Sequence, residues 1–133
     1  MSFLLDTHIL LWYASDDGKL PKKARDLIAN SGSAYCSIVS AWEVAIKHNL
    51  NPTRMPLSGK QFFDCIRRFG CGLLALKEAH VQMLDTLHLA QGAKEHHDPF
   101  DRMLICQAKA EGITLLTHDT LLQGYGEPCV LLV

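Results

Sequence analysis

The stretch from His96 to Asp119, HHDPFDRMLICQAKAEGITLLTHD, leaves this chain few architectural choices, because a helix and a strand follow one another in it with one glycine between them. Asp98 followed by Pro99 reads as an N-cap and a first helical residue, since proline lacks the N–H that would be orphaned there. Asp101, Leu104, Ile105 and Ala108 recur at helical spacing on one face, and Gly112 supplies the stop. Ile113 to Thr117 is β-branched and apolar enough for a buried strand, which delivers His118 and Asp119 at its carboxyl end. Asp101 shares the apolar stripe although it is charged. It is therefore either a helix cap or part of a site.

The same alternation runs through the rest of the chain. Phe3 to Leu5 is a short apolar run ending at Asp6, after which Ile9, Leu10 and Tyr13 take helical spacing. Asp16 to Gly18 makes a turn, and Pro21 opens a helix whose Ala24, Leu27 and Ile28 face inward before Asn30 to Gly32 closes it. A second strand is expected at about Ala34 to Ile38. Ser40 and Glu43 then read as an S-x-x-E capping box, which puts Glu43 in the first turn of a helix running to Asn49. Asn51 to Ser58 reads as a loop, and Gln61 to Phe69 as a helix burying Phe62, Cys65, Ile66 and Phe69. Leu73 to Leu76 is a third strand, Glu78 to Leu89 a helix with Val81, Leu84 and Leu87 or His88 inward, and Cys129 to Val133 a last strand. Strands alternating with helices imply parallel βαβ units. The expected fold is α/β, a parallel sheet of about five strands flanked by helices, in one domain spanning 1–133.

Composition narrows what such a domain does. At 133 residues it can bury a core of its own without staples. The five cysteines are odd in number and include no C-x-x-C pair, which fits a reducing compartment better than a disulfide framework or structural zinc. Asp6 and His8 interrupt the apolar Met1 to Ala14, so neither a signal peptide nor a membrane span is expected, and the cytoplasm is the expected location. A formal net charge of −1 argues against a broad polyanion-binding surface. Nucleic-acid binding would rely on local patches.

In a sheet of this kind the crevice lies at the carboxyl ends of the strands, and the helices that leave those strands begin there. Asp6 and Asp119 end strands, while Glu43 and Asp101 lie in first turns, so all four acids fall on one edge. Each has a capping reading, and Asp98 caps best of all. Capping does not explain convergence. Two carboxylates about 4 Å apart repel by roughly 4 kcal/mol at an effective dielectric near 20, so a cluster persists only with bound cations or raised pKa values. Hard oxygen ligands suit magnesium or manganese, and two such ions support in-line displacement at a phosphodiester.

LLDTHILLW near the start, SAWEVAIKHNL in the middle and HHDPFDRMLICQAKAEGITLLTHD near the end together resemble the PIN-domain proteins, in particular the VapC toxin branch of toxin–antitoxin systems. The resemblance covers nearly the whole chain. It implies a parallel sheet with flanking helices and Mg²⁺- or Mn²⁺-dependent endonucleolytic cleavage of RNA. The catalytic and metal-binding acids it implies are Asp6, Glu43, Asp101 and, at a less uniform position, Asp119, with Asp98 an auxiliary ligand or only a cap. It also implies a VapB-like antitoxin that covers the acid edge, and homodimerisation.

Several residues carry secondary readings. Thr7 and Ser40 are candidate site hydroxyls or helix caps, and Arg102 either grips a phosphate or makes an ordinary surface salt bridge. His8, His96, His97 and His118 lie near the acid edge and admit a mixed His/Asp site for zinc, manganese or iron. His97-Asp98 reads like the HD phosphohydrolases, a family that is all-helical. Lys22, Lys23, Arg25, Lys47, Arg54, Lys60, Arg67 and Arg68 are candidates for an RNA path, although scattered cations are usually solvated faces. Leu11, Trp12 and Trp42 pack the core or, if exposed, suit an apolar partner helix. A different class of function stays open beside the nuclease: a catalytically silent PIN-like binding module whose acids merely cap helices.

Overall fold

β1 (Ser2–Leu5) is the middle strand of a five-stranded, all-parallel sheet, and its side chains alternate between two cores. The computed structural model describes residues 1–133. After β1 come α1 (Thr7–Ala14), α2 (Lys22–Ala29), β2 (Ser33–Ser37), α3 (Ile38–Leu50), α4 (Gly59–Phe69), β3 (Gly72–Leu74), α5 (Glu78–Met83), α6 (Pro99–Glu111), β4 (Thr114–Thr117) and β5 (Val130–Leu132), with 3-10 turns at Leu84–Thr86 and Thr120–Tyr125. The strand order is β3-β2-β1-β4-β5. The chain winds outward through β2 and β3, then returns to the other side of β1 for β4 and β5. The gap between β1 and β4 is thus the switch point, where an open α/β sheet leaves a crevice.

Phe3 and Leu5 join Ile9, Leu10, Ala24, Val44, Phe62 and Ile66 in the core beneath α1 to α4. Leu4 faces the opposite side, with Leu104, Ile105, Ala108, Leu115, Leu122 and Tyr125 beneath α6. Fully buried aliphatic side chains contribute roughly 2 kcal/mol each, so this two-faced burial fixes the register of β1. Gly72 marks where β3 must approach β2 closely: a Cβ there would lie 2.7 Å from the Tyr35 ring. β3 ends at Leu74, short of the expected Leu76.

Three helices differ from expectation, α3 at its start, where it bears on the site, and two others. The run expected as one helix from Glu78 to Leu89 stops at Met83, where the Thr86 hydroxyl donates to the Met83 carbonyl at 2.7 Å and takes the acceptor that a further turn would use. Leu87 is buried, but His88 is exposed and Val81 is 49% exposed. α4 starts two residues earlier than expected, at Gly59, because Ser58 and Gln61 form a full capping box. Its Phe69 is partly exposed and stacks edge-on against Tyr13 instead of entering the core. No helix is long and apolar enough to cross a membrane.

Candidate active site

At the carboxyl edge of the sheet, β1, α3, α6 and β4 bring side chains together around a cleft of about 310 Å³. Five carboxylates line it, those of Asp6, Glu43, Asp98, Asp101 and Asp119, together with His8, Trp12, His118 and a single lysine, Lys47. Asp6 follows β1 and caps α1, its Oδ1 accepting from Thr7 N at 2.7 Å. Its Oδ2 accepts from the Thr117 hydroxyl, also at 2.7 Å. Thr117 ends β4, and the same hydroxyl oxygen accepts from Asp119 N at 3.0 Å. One buried threonine therefore ties the acids of neighbouring strands together.

Glu43 lies a turn deeper in α3 than the capping box of Ser40 and Glu43 implies. The cap is Ser37, whose hydroxyl oxygen accepts from Val39 N at 2.9 Å, because the helix begins as soon as β2 stops pairing. Ser40 falls in the first turn and Glu43 in the second, so Glu43 caps nothing. Its Oε1 is 2.8 Å from the Thr7 hydroxyl and its Oε2 accepts from Lys47 Nζ at 2.6 Å. The Thr7 hydroxyl is also 2.8 Å from Ser40 Oγ. A carboxylate can only accept and Thr7 has one proton, so Thr7 donates to Glu43 and accepts from Ser40. Both hydroxyls are buried behind Glu43, outside the lining of the cleft.

At the start of α6, Asp98 Oδ1 accepts from Phe100 N at 2.9 Å and Asp101 N at 3.2 Å. Asp101 does not turn back on its backbone. Its Oδ2 lies 3.1 Å from Nε2 of the buried His96. The Tyr125 hydroxyl donates to the His96 carbonyl at 2.9 Å, so at 2.8 Å its oxygen accepts from His96 Nδ1–H. Nε2 is thereby the ring nitrogen turned to the acids. Asp119 caps the following 3-10 turn through Leu121 N at 2.9 Å, and one ligand atom each from His96, Asp101 and Asp119 lie within 4.8 Å of one another.

The electrostatics follow from this crowding. Burial, then the fields of Asp6, Asp98, Glu43 and Asp119, push the Asp101 carboxyl up to about 8. Burial also raises Asp6, against the hydrogen bonds from Thr117 and Thr7 N that favour its charge. Burial works against the Lys47 charge, but the bond to Glu43 and the fields of Glu43, Asp98 and Asp101 hold it above the ordinary lysine value. Five carboxylates facing one lysine form a site short of positive charge. Oxygen donors in such a set fit a hard divalent cation, and His96 Nε2 is a nitrogen donor beside them.

A family model for the PIN domain matches residues 3–127. The chain belongs to the PIN-domain family. No curated protein matches this PIN chain in sequence. Its fold is similar to that of solved structures at low identity. VapBC2 from Rickettsia felis bound to a promoter DNA fragment is 18% identical over 100% of this chain and 98% of that one, with TM-score 0.65. A toxin–antitoxin complex from Klebsiella pneumoniae is 19% identical over 96% and 94%, with TM-score 0.60. FitAcB from Neisseria gonorrhoeae is 16% identical over 92% and 89%, with TM-score 0.59.

Other residues of this PIN chain fall as follows. Arg102 makes no salt bridge and lines a different pocket, with His96 and His97. His8 and His118 flank the acid cleft, stacked against Trp12, while the His97 side chain is 73% exposed beside Glu95. Trp42 is 60% exposed and meets Phe100 edge-on, whereas Leu11 and Trp12 are half-buried against the core. The parallel sheet excludes the all-helical HD phosphohydrolase fold. Sequence reasoning gave Lys47 only a place on an RNA path, though its i, i+4 spacing from Glu43 signals the pair. Thr117 and Tyr125 carried no local signal beyond lying near the last acid.

Proposed function

We propose that this PIN protein is an Mg²⁺- or Mn²⁺-dependent endoribonuclease of the VapC toxin type, in which residues 1–133 act as one catalytic unit. The observation that carries the reading is the charge balance of the cleft: five carboxylates, one lysine, and an Asp101 carboxyl pushed up to about 8. In this reading Asp6, Glu43, Asp101 and Asp119 are the metal-binding and catalytic acids. Asp98 is an auxiliary, since one of its oxygens caps α6 while the residue still lines the cleft. When bound, the ions supply Lewis-acid stabilisation of charge at phosphorus and activation of water for in-line displacement.

The chain's own residues supply the positioning. Thr117 and Thr7 N fix both oxygens of Asp6 while each keeps a free lone pair, and Thr7 and Lys47 hold Glu43 extended toward the cleft. Thr7 and Ser40 thus orient an acid and do not meet substrate. A VapB-like antitoxin as the inhibitory partner, a homodimeric assembly and a cytoplasmic location complete the proposal. The antitoxin is supported by the fold's likeness to toxin–antitoxin structures.

The test is cleavage of a folded RNA transcript with Mg²⁺ or Mn²⁺, then with chelator, beside Asp6→Asn and Asp101→Asn. Cleavage should vanish with chelator and fall at least ~100-fold in each variant. Cleavage indifferent to all three refutes the metal mechanism. Calorimetry separates the silent binding module, which would take up no divalent ion at all.

A further inference from the structure

Beside His96 lies a second pocket of about 330 Å³ lined by Leu87, His88, His96, His97, Arg102 and Tyr125 among others. No carboxylate is among the residues that line it. Arg102 is the residue after Asp101, yet its only side-chain hydrogen bond within the chain is a long one of 3.5 Å, from Nη2 to the Leu87 carbonyl. Its Nε is buried and has no partner, the one such side-chain atom in the protein. A guanidinium offers five donors in a rigid fork that matches phosphate, and with Nε closed off and Nη2 only weakly engaged, its Nη groups are the donors left to the pocket. The usual partner, a carboxylate, is absent from this pocket although five line the acid cleft.

We propose that this pocket is a phosphate subsite, in which Arg102 grips the backbone phosphate next to the one being cut; the proposal rests on the nuclease reading. Asp101 and Arg102 are successive residues of α6, the first lining the acid cleft and the second the other pocket. A single strand held at the cleft can therefore reach the neighbouring pocket with an adjacent phosphate. His88 and His97 stand at the same pocket and can donate to the same anion, while the half-buried Leu89 gives it an apolar wall against which a base can lie. The acid cleft needs cations before it accepts a phosphodiester. The Arg102 pocket does not, and it supplies the fixed positive charge that the cleft lacks.

The experiment uses the full chain in chelator, where nothing is cut, with two probes: inorganic phosphate and a short single-stranded oligoribonucleotide. Phosphate should shift the His88 and His97 ring resonances in the wild type and not in Arg102→Gln. The oligoribonucleotide should bind Arg102→Gln about 10-fold more weakly, with a salt slope shallower by about 0.7, the loss of one phosphate contact on a single strand. Arg102→Lys, which keeps the charge but not the fork, should lose about 3-fold, and it carries the test if the glutamine variant does not fold. Phosphate shifts without any change in oligonucleotide affinity would assign the pocket to free phosphate or a nucleotide and overturn the strand subsite. If neither effect appears, the proposal is overturned altogether. Calorimetry with Mn²⁺ alone reads the nuclease proposal separately: no metal uptake would remove that reading and leave the phosphate result standing.

Discussion

The two ends of α6 carry acids in opposite circumstances. At the amino end, Asp101 is pushed up to about 8 by burial and four neighbouring carboxylates. At the carboxyl end, Glu111 is held below its ordinary value, first by its hydrogen bond to His80 and then by Lys77. The helix macrodipole works the other way, favouring an anion at the amino end and disfavouring one at the carboxyl end by roughly 0.3–1 kcal/mol. Neighbours therefore outweigh the dipole at both ends. Glu111 Oε1 lies 2.8 Å from His80 Nε2 and 3.1 Å from Lys77 Nζ, whereas Asp101 has a single such neighbour, His96 Nε2 at 3.1 Å, and no lysine.

The contrast extends inward. Lys77 N and Gln107 Nε2 both donate to His80 Nδ1, at 3.0 and 3.3 Å, and Gln107 Oε1 accepts from the hydroxyl of Ser37, the cap of α3. That network is complete, and it joins α3, α5 and α6 in the dry interior. A chain that can satisfy one acid so fully and leaves another surrounded by like charge has reserved the second for something it does not itself contain.

The largest effect should come from Asp101. Its folded-state carboxyl keeps a proton that the unfolded chain releases, because about 8 lies above the ordinary 3.8. The folded state then binds more protons than the unfolded state between those values, so stability falls as pH rises through that window. Asp6 is shifted in the same direction and adds to the slope. The urea midpoint of the metal-free protein should therefore drop between pH 5 and 8.5. Asp101→Asn should flatten the slope and gain about 3 kcal/mol at the upper end, less than the full shift implies because the cleft stays open to water. Excess Mn²⁺ should restore the wild type and not the variant. A midpoint that rises with pH, or a variant with the wild-type slope, would break the contrast.

His80→Ala should cost less, about 2 kcal/mol, by leaving Gln107 Nε2 without its histidine partner, uncapping α5 and opening a cavity at a fully buried position. Urea unfolding at pH 7 measures it, and an unchanged midpoint would mean that the network is not structural.

These two ends were unequally legible in the sequence. α6 could be read to the residue because its signals are local: Asp98 before Pro99 at one end, Gly112 at φ 66° at the other. The sharing of one edge by Asp6, Glu43, Asp101 and Asp119 also followed, since a parallel sheet sends all its strand ends to one side. The start of α3 did not, because Ser37 and Ser40 both present capping chemistry and only the end of the β2 ladder decides between them. Nor did the partners of Asp101 and Glu111. His96 meets Tyr125 from 29 residues away, and His80 meets Glu111 from 31, contacts that exist only once α6 lies on the sheet.

The smallest effect belongs to Glu111 itself, and it tests the contrast from the satisfied side. Its side chain is 30% exposed, so water screens its attraction to Lys77 and His80. Because its carboxyl is held below 4.5, the folded state binds fewer protons than the unfolded chain just beneath that value. Its contribution is fully present above pH 4.5 and is lost as pH falls through the folded value. Glu111→Gln should therefore lower the urea midpoint at pH 7 by less than half the effect of His80→Ala, and should make the loss of stability between pH 5 and 3 shallower than in the wild type. It should leave the slope between pH 5 and 8.5 untouched, since that limb belongs to Asp101 and Asp6. A glutamine variant that altered the alkaline limb would show the two ends of α6 to be coupled, and the acid cleft could then no longer be treated as a site whose charge is set by its own neighbours.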